Sequence, residues 1–191
     1  MQTIIITSML LMLLGCQSSA PIKDASLHGR IQELERLEVE SKRDKNRLLL
    51  FMSLSDMFPD KGVRALARAA GNGQVDRINK IVASGVDVNS RGTLGATPLF
   101  WAFGNLKGFQ RLLELGADPD AHYEDGGGVM AWAVQSDNPN FLKLAIKYGA
   151  DVNSVNPLPR TDYTTPLTVA LILNYDKSVE TLLDAGADVN L

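Results

Sequence analysis

The side chains whose types suit catalysis are few and scattered in this sequence. Its two histidines, His28 and His122, stand far apart, and neither belongs to a His-x-x-x-His pair or a Ser-His-Asp set. Gly126-Gly127-Gly128 lacks the following Lys-Ser/Thr that a phosphate-cradling loop requires. Four aspartates, Asp87, Asp118, Asp151 and Asp188, recur at near-regular spacing and invite comparison with a Ca²⁺ site. Such a site needs several oxygens converging on one point, whereas turn formation already accounts for each of these residues. The remaining reactive group is the only cysteine, Cys16, at the end of an apolar run. These residues predict no enzyme, no cofactor and no metal centre.

The aspartates belong to a phrase written four times: Gly85-Val86-Asp87-Val88-Asn89, Gly116-Ala117-Asp118-Pro119-Asp120, Gly149-Ala150-Asp151-Val152-Asn153 and Gly186-Ala187-Asp188-Val189-Asn190. The intervals are 116 − 85 = 31, 149 − 116 = 33 and 186 − 149 = 37 residues. A phrase recurring about every 33 residues marks a stacked repeat array. Each copy follows an apolar helical stripe, so its Gly falls where a helix ends in the left-handed conformation. The Asp and Asn two and four residues on are suited to bonding their own backbone and holding a tight reversal.

A second motif aligns with the first. Thr97-Pro98-Leu99-Phe100-Trp101-Ala102 matches Gly128-Val129-Met130-Ala131-Trp132-Ala133 and Thr165-Pro166-Leu167-Thr168-Val169-Ala170, with Arg64 to Ala69 as the first copy. Thr then Pro starts a helix: Thr caps free N–H groups, and Pro at the first helical position has none to satisfy. A second helix follows in each copy, with apolar residues at Ile78, Ile81 and Val82; Phe109, Leu112 and Leu113; Leu142, Ala145 and Ile146; and Val179, Leu182 and Leu183. Asn138-Pro139 opens one of them by the same logic.

Helix, turn, helix and hairpin-like loop in about 33 residues, carrying Thr-Pro-Leu and Gly-Ala-Asp-Val-Asn, resembles the ankyrin repeat. The resemblance covers 61–191, with repeats near 61–93, 94–126, 127–161 and 162–191. It implies an all-α solenoid of about four helix-turn-helix repeats with hairpin loops, preceded by an N-terminal helix. The His that follows Thr-Pro-Leu in the family is Ala67, Phe100, Ala131 or Thr168 here, so its bridge to Thr is absent. Copy two is two residues shorter between Thr97 and Gly116, where the span is 19 residues against 21 elsewhere.

Ile4 to Gly15 is too short for a stable bilayer span but suits a signal-peptide core. Leu13-Leu14-Gly15-Cys16 resembles the lipobox of bacterial lipoproteins. That resemblance implies cleavage before Cys16, lipid on its sulfur and amine, and, with Gln17 next, an outer-membrane anchor facing the periplasm. A lipidated Cys16 leaves no thiol for a disulfide or a metal. The remaining N-terminal expectations are a signal peptide over 1–15, a lipidated Cys and flexible tether over 16–26, and a spacer helix and cap over 27–60. Leu27, Ile31, Leu34 and Leu37 keep helical spacing, and Glu38 with Lys42 and Asp44 with Arg47 can pair along it. Glu38, Ser41 and Lys45 break the heptad seam, which favours a spacer over a dimerising helix. Leu48 to Phe58 is too apolar for water and reads as the cap that a first repeat needs, stopped by Pro59.

The net charge of −3 is too mild to steer the chain onto nucleic acid or an anionic membrane surface, and no basic patch stands out within the repeats. The ankyrin resemblance implies a protein partner met through first helices and loops. Loop anchors are Arg91, His122, Tyr123, Arg160 and Tyr163, by the preference of interfaces for Arg and aromatics. Trp101 and Trp132 share one position in adjacent copies, as core packing or as an aromatic strip. The array stops at Leu191 without a polar capping helix, so Ile172 and Leu173 are expected at an edge that meets a partner or a second copy. The resemblance to small ankyrin lipoproteins implies the immunity member of a toxin-neutralising pair; the alternative is a structural envelope scaffold.

Overall fold

The computed structural model describes residues 52–124, 127–136, 138–158 and 161–191, without the side chains of 156–164. The signal sequence, Cys16, the tether, the spacer helix and Leu48 to Phe51 of the expected cap lie outside the described residues. The array opens with a short helix α1 (Leu54–Met57). Copy one holds α2 (Lys61–Gly71) and α3 (Val75–Ala83), and copy two holds α4 (Pro98–Trp101) and α5 (Leu106–Glu114). Copy three holds α6 (Val129–Gln135) and α7 (Pro139–Lys147), and copy four holds α8 (Pro166–Ile172) and α9 (Asp176–Asp184). Between copies three and four, β1 (Asn156–Leu158) and β2 (Thr161–Thr164) form an antiparallel hairpin. First helices form one layer and second helices another, each packed on its predecessor. This is the all-α repeat expected from the two motifs.

The second helices bury the predicted stripe. Ile78, Phe109, Leu112, Leu142, Ala145 and Leu182 are fully buried, while Leu183 turns outward. Ahead of copy one, Met57 and Phe58 are fully buried, α1 ends ahead of Pro59, and the Thr93 hydroxyl donates to the Asp56 carbonyl at 2.7 Å.

The shortening of copy two has a visible cost in geometry. The turn between the paired helices uses a left-handed residue in copies one and four, Gly73 (φ 65°) and Asn174 (φ 59°). Copy two lacks the residues for that turn. Its first helix tightens instead into a 3₁₀ turn at Ala102–Gly104, and Asn105 at once caps α5 by accepting from the Lys107 and Gly108 N–H groups. Gly108 then lies against the carbonyl of Ala70, where a Cβ would strike backbone.

The phrase glycines are left-handed as predicted, at φ 98°, 89°, 96° and 87° for Gly85, Gly116, Gly149 and Gly186. Each phrase Asp accepts from the N–H two residues on, at 2.8 to 2.9 Å. The fifth residue corrects the local-turn reading, because it reaches across to the next copy. Asn89 accepts from Asp118 N–H at 2.8 Å and donates to the Gly116 carbonyl at 2.9 Å. Asp120 accepts from Asp151 N–H at 2.9 Å, and Asn153 from Asp188 N–H at 2.8 Å. The phrases are thus both turns and rungs of a ladder between copies. Position decides the difference: four residues after the phrase glycine, Asn89, Asp120 and Asn153 each lie beside a backbone N–H of the next phrase that needs a partner.

Asp120 is the one acid among these bridging residues. Burial pushes its carboxyl above the ordinary aspartate value, against the Asp151 N–H that pulls it down; the charges of Asp118 and Asp151 add to the rise and His122 opposes it. The folded chain therefore holds this proton more tightly than the unfolded one, and stability contributed here falls as pH rises through and just above about 4. Asp120→Asn should abolish that portion of the pH dependence and stabilise the neutral protein by about 1 kcal/mol, since Asn can also donate to Gly149 as Asn89 does to Gly116. Urea melts of both proteins at about pH 4 and about pH 7 measure the difference. Gly116→Ala, with open space around it, should cost about 1–2 kcal/mol from φ alone. Gly108→Ala should cost about 3 kcal/mol or more in the same melts, because the Ala70 backbone must move.

Candidate interaction surface

The loops that follow each phrase are bonded to one another. Arg91 is exposed, and its guanidinium donates to the His122 carbonyl at 2.7 Å and to the Gly95 carbonyl at 3.4 Å. Glu124 N–H donates to the Leu94 carbonyl at 3.2 Å, and Leu94 itself is held left-handed at φ 55°. Within loop two, Tyr123 N–H donates to the Gly127 carbonyl at 2.7 Å, and His122 pairs with Gly128 in an antiparallel bridge. Arg91 is therefore a tie between loops as well as a surface cation. A left-handed leucine costs roughly 1–2 kcal/mol, so neighbouring contacts must over-determine the conformation of loop one.

Tyr123 is corrected from loop anchor to core residue. It is only 4% exposed, and its ring meets Phe100 edge-on at 5.0 Å. The same Phe100 takes the edge of Trp132 at 4.9 Å, and Trp132 is 7% exposed. Trp132 thus packs in the core and offers no exposed strip. Trp101 differs from it despite the shared position. It stays half-buried, with its indole laid against Gly71, where a Cβ would meet Cδ1 at 2.8 Å. Phe103, Phe109 and Phe141 form a second aromatic cluster, with centroids 4.9 to 5.3 Å apart. Aromatic pairs of this kind add about 0.5–1.5 kcal/mol each beyond area burial.

Phe100 holds the place of the family's His, and the exchange is legible at Thr97. The Thr97 hydroxyl is buried with no hydrogen-bond partner among the described residues and does not cap α4, contrary to the predicted helix start. In copy four the cap is present: Thr165 accepts from Thr168 N–H at 3.2 Å, and the two hydroxyls lie 3.1 Å apart. Thr168 supplies a polar partner where the family has His, whereas Phe100 gives it up for ring contacts.

At the fourth copy the exposed pair is Leu171 and Ile172, 58% and 63% exposed. Leu173 is corrected from exposed to half-buried against the core. Arg160 lies outside the described residues, and Tyr163 is placed by its backbone in β2 with no description of its side chain. Of the predicted anchors, Arg91 and His122 share one laced group of loops, and Ile172 lies on a different copy. The bridging fifth residues of the phrases were missed as contacts between copies; their polar character in every copy was the available signal. Among the described residues no cluster of His, Cys, Asp and Glu could hold a metal, and no helix is long and apolar enough to cross a membrane.

Comparison with known proteins agrees with this geometry. Residues 103–191 match the family described as ankyrin repeats (3 copies). Over 129 residues the chain is 33% identical to "Protein PhlB" of Serratia liquefaciens, covering 66% of this chain and 55% of that protein. The chain spans about half the length of this curated relative. Ankyrin repeats serve protein–protein interaction and are generally non-enzymatic, which places a protein partner ahead of a substrate. Residues 103–191 are ankyrin repeats, and the copy ahead of them is built on the same plan.

Proposed function

We propose that this protein is a lipid-anchored recognition module of the cell envelope, held at the outer membrane through Cys16 and facing the periplasm. Its partner is another protein, gripped by the first helices and the laced loops, and neutralisation of a toxin is the form of recognition the reading favours. The observation that carries it is the tie between loops: Arg91 to His122, and Glu124 to Leu94. These bonds fix exposed His122 and Glu124 in a surface prepared before any partner arrives, which lowers the ordering cost of binding. The lipobox resemblance supports the anchor, and the ankyrin repeats support the protein partner.

A photo-crosslinking residue at His122 or Glu124 should give a discrete adduct in the producing cell, while the same residue at Asp76 on α3 should give none. Equal adducts at all three positions, or none at the loops, would defeat the reading. For the anchor, metabolic labelling with a palmitate analogue should mark the wild-type chain and leave Cys16→Ala unmarked; label on both chains would remove Cys16 as the site. A second reading, a self-assembling envelope scaffold, draws on exposed Leu171 and Ile172. A monomeric soluble domain in sedimentation would dismiss it.

A further inference from the structure

The first helix of copy one carries a stripe of cations, where no basic patch was expected within the repeats. Lys61, Arg64 and Arg68 stand at i, i+3 and i+7 of α2, so one stripe of the helix holds all three. Lys61 and Arg68 are exposed and Arg64 is half-buried. None of them has an ion-pair partner among the described residues, where Arg111 and Glu114 form a bridge at 2.8 Å. The nearest acid in sequence, Asp60, is engaged elsewhere: its carboxylate caps α2 by accepting from Val63 N–H at 2.8 Å.

The stripe continues into an aromatic. Gly71 follows Arg68 by three residues on the same face, and its missing side chain lets the Trp101 indole lie against α2, as the 2.8 Å approach to a would-be Cβ shows. From Lys61 to Gly71 the rise is about 15 Å, the length of four or five residues of extended chain. Three cations without an ion-pair partner among the described residues, followed by a half-buried indole, thus form a linear surface with a charged part and an apolar end.

We propose that this face of α2 docks an acidic segment of the partner protein, whose carboxylates meet Lys61, Arg64 and Arg68 and whose aromatic or apolar residue rests on Trp101. This rests on the recognition reading and adds the chemistry of the partner. A short segment feels the local stripe, because charges farther off than about 8–10 Å are screened at physiological salt. A broad anionic membrane instead faces a chain whose net charge is −3, so an acidic segment fits better than a lipid surface.

The test uses the full chain and a short fluorescein-labelled peptide, rich in glutamate and ending in tyrosine, read by anisotropy. Binding should weaken steeply with added salt, and it should reduce the quenching of tryptophan by acrylamide, which reports Trp101 because Trp132 is buried. Lys61→Glu with Arg68→Glu, both exposed and so compatible with folding, should weaken binding roughly tenfold or more. Arg77→Glu with Lys80→Glu on α3, also exposed, should leave it within about twofold. No peptide binding, equal loss in both double variants, or binding to phosphatidylglycerol vesicles in place of the peptide would overturn the proposal. Loop adducts that persist in Lys61→Glu/Arg68→Glu, in a protein that ignores the peptide, would sink this inference and leave the recognition reading standing. Absence of loop adducts in the wild-type chain, with peptide binding intact, would do the reverse.

Discussion

Each boundary between copies depends on one repeated polar reach: the fifth residue of a phrase accepts from the backbone N–H of the next. A repeat of this kind cannot bury its apolar face alone, so every copy relies on its neighbour for stability. Apolar packing sets the strength of that reliance but allows sliding. A directed bond from a side chain to a fixed backbone group does not, because the N–H it satisfies has one position and one direction. The left-handed glycine that opens each phrase turns the chain so that this bond can form. Helix end, turn and stacking register are therefore one constraint expressed in five residues.

What stands on this register are the loops. Their ties run from loop to loop, Arg91 to His122 and Glu124 to Leu94, so they inherit the spacing that the ladder imposes. The surface is consequently more fixed than independent loops would be. Its side chains divide between two tasks that the same residue types can serve. Phe100, Tyr123 and Trp132 hold the interior, while His122, Glu124 and Arg91 meet solvent.

The repeat architecture was legible because it rests on local chemistry repeated at a fixed interval. Gly at a helix end, Pro at a helix start and apolar residues at helical spacing each carry their meaning within a few residues. The surface was less legible, since exposure depends on what the neighbouring copy presents. Tyr123 sits in a polar loop and reads as an anchor, yet Phe100 of the preceding first helix supplies a ring for it to bury against. Trp101 and Trp132 occupy the same position and meet different fates, because the α2 surface beneath Trp101 ends in Gly71 whereas Trp132 meets Phe100. Thr97 reads as a helix cap, and only the replacement of the family's His by Phe100 explains its idle hydroxyl. The stripe on α2 was present in the spacing of Lys61, Arg64 and Arg68, but its continuation into Trp101 required the structure.

The uneven placement of the aromatic rings has a mechanical consequence. Both clusters, Phe100 with Trp132 and the Phe103, Phe109 and Phe141 trio, straddle the joint between copies two and three. In a one-dimensional stack the coupling at each joint sets how far an opening spreads, so these rings tie the opening of copy two to that of copy three. The joint between copies one and two is close by another means, with the Trp101 indole against Gly71 and Gly108 against the Ala70 carbonyl. Trimming a ring therefore loosens the central joint by leaving space, whereas adding a side chain at Gly71 or Gly108 would wedge the other one apart.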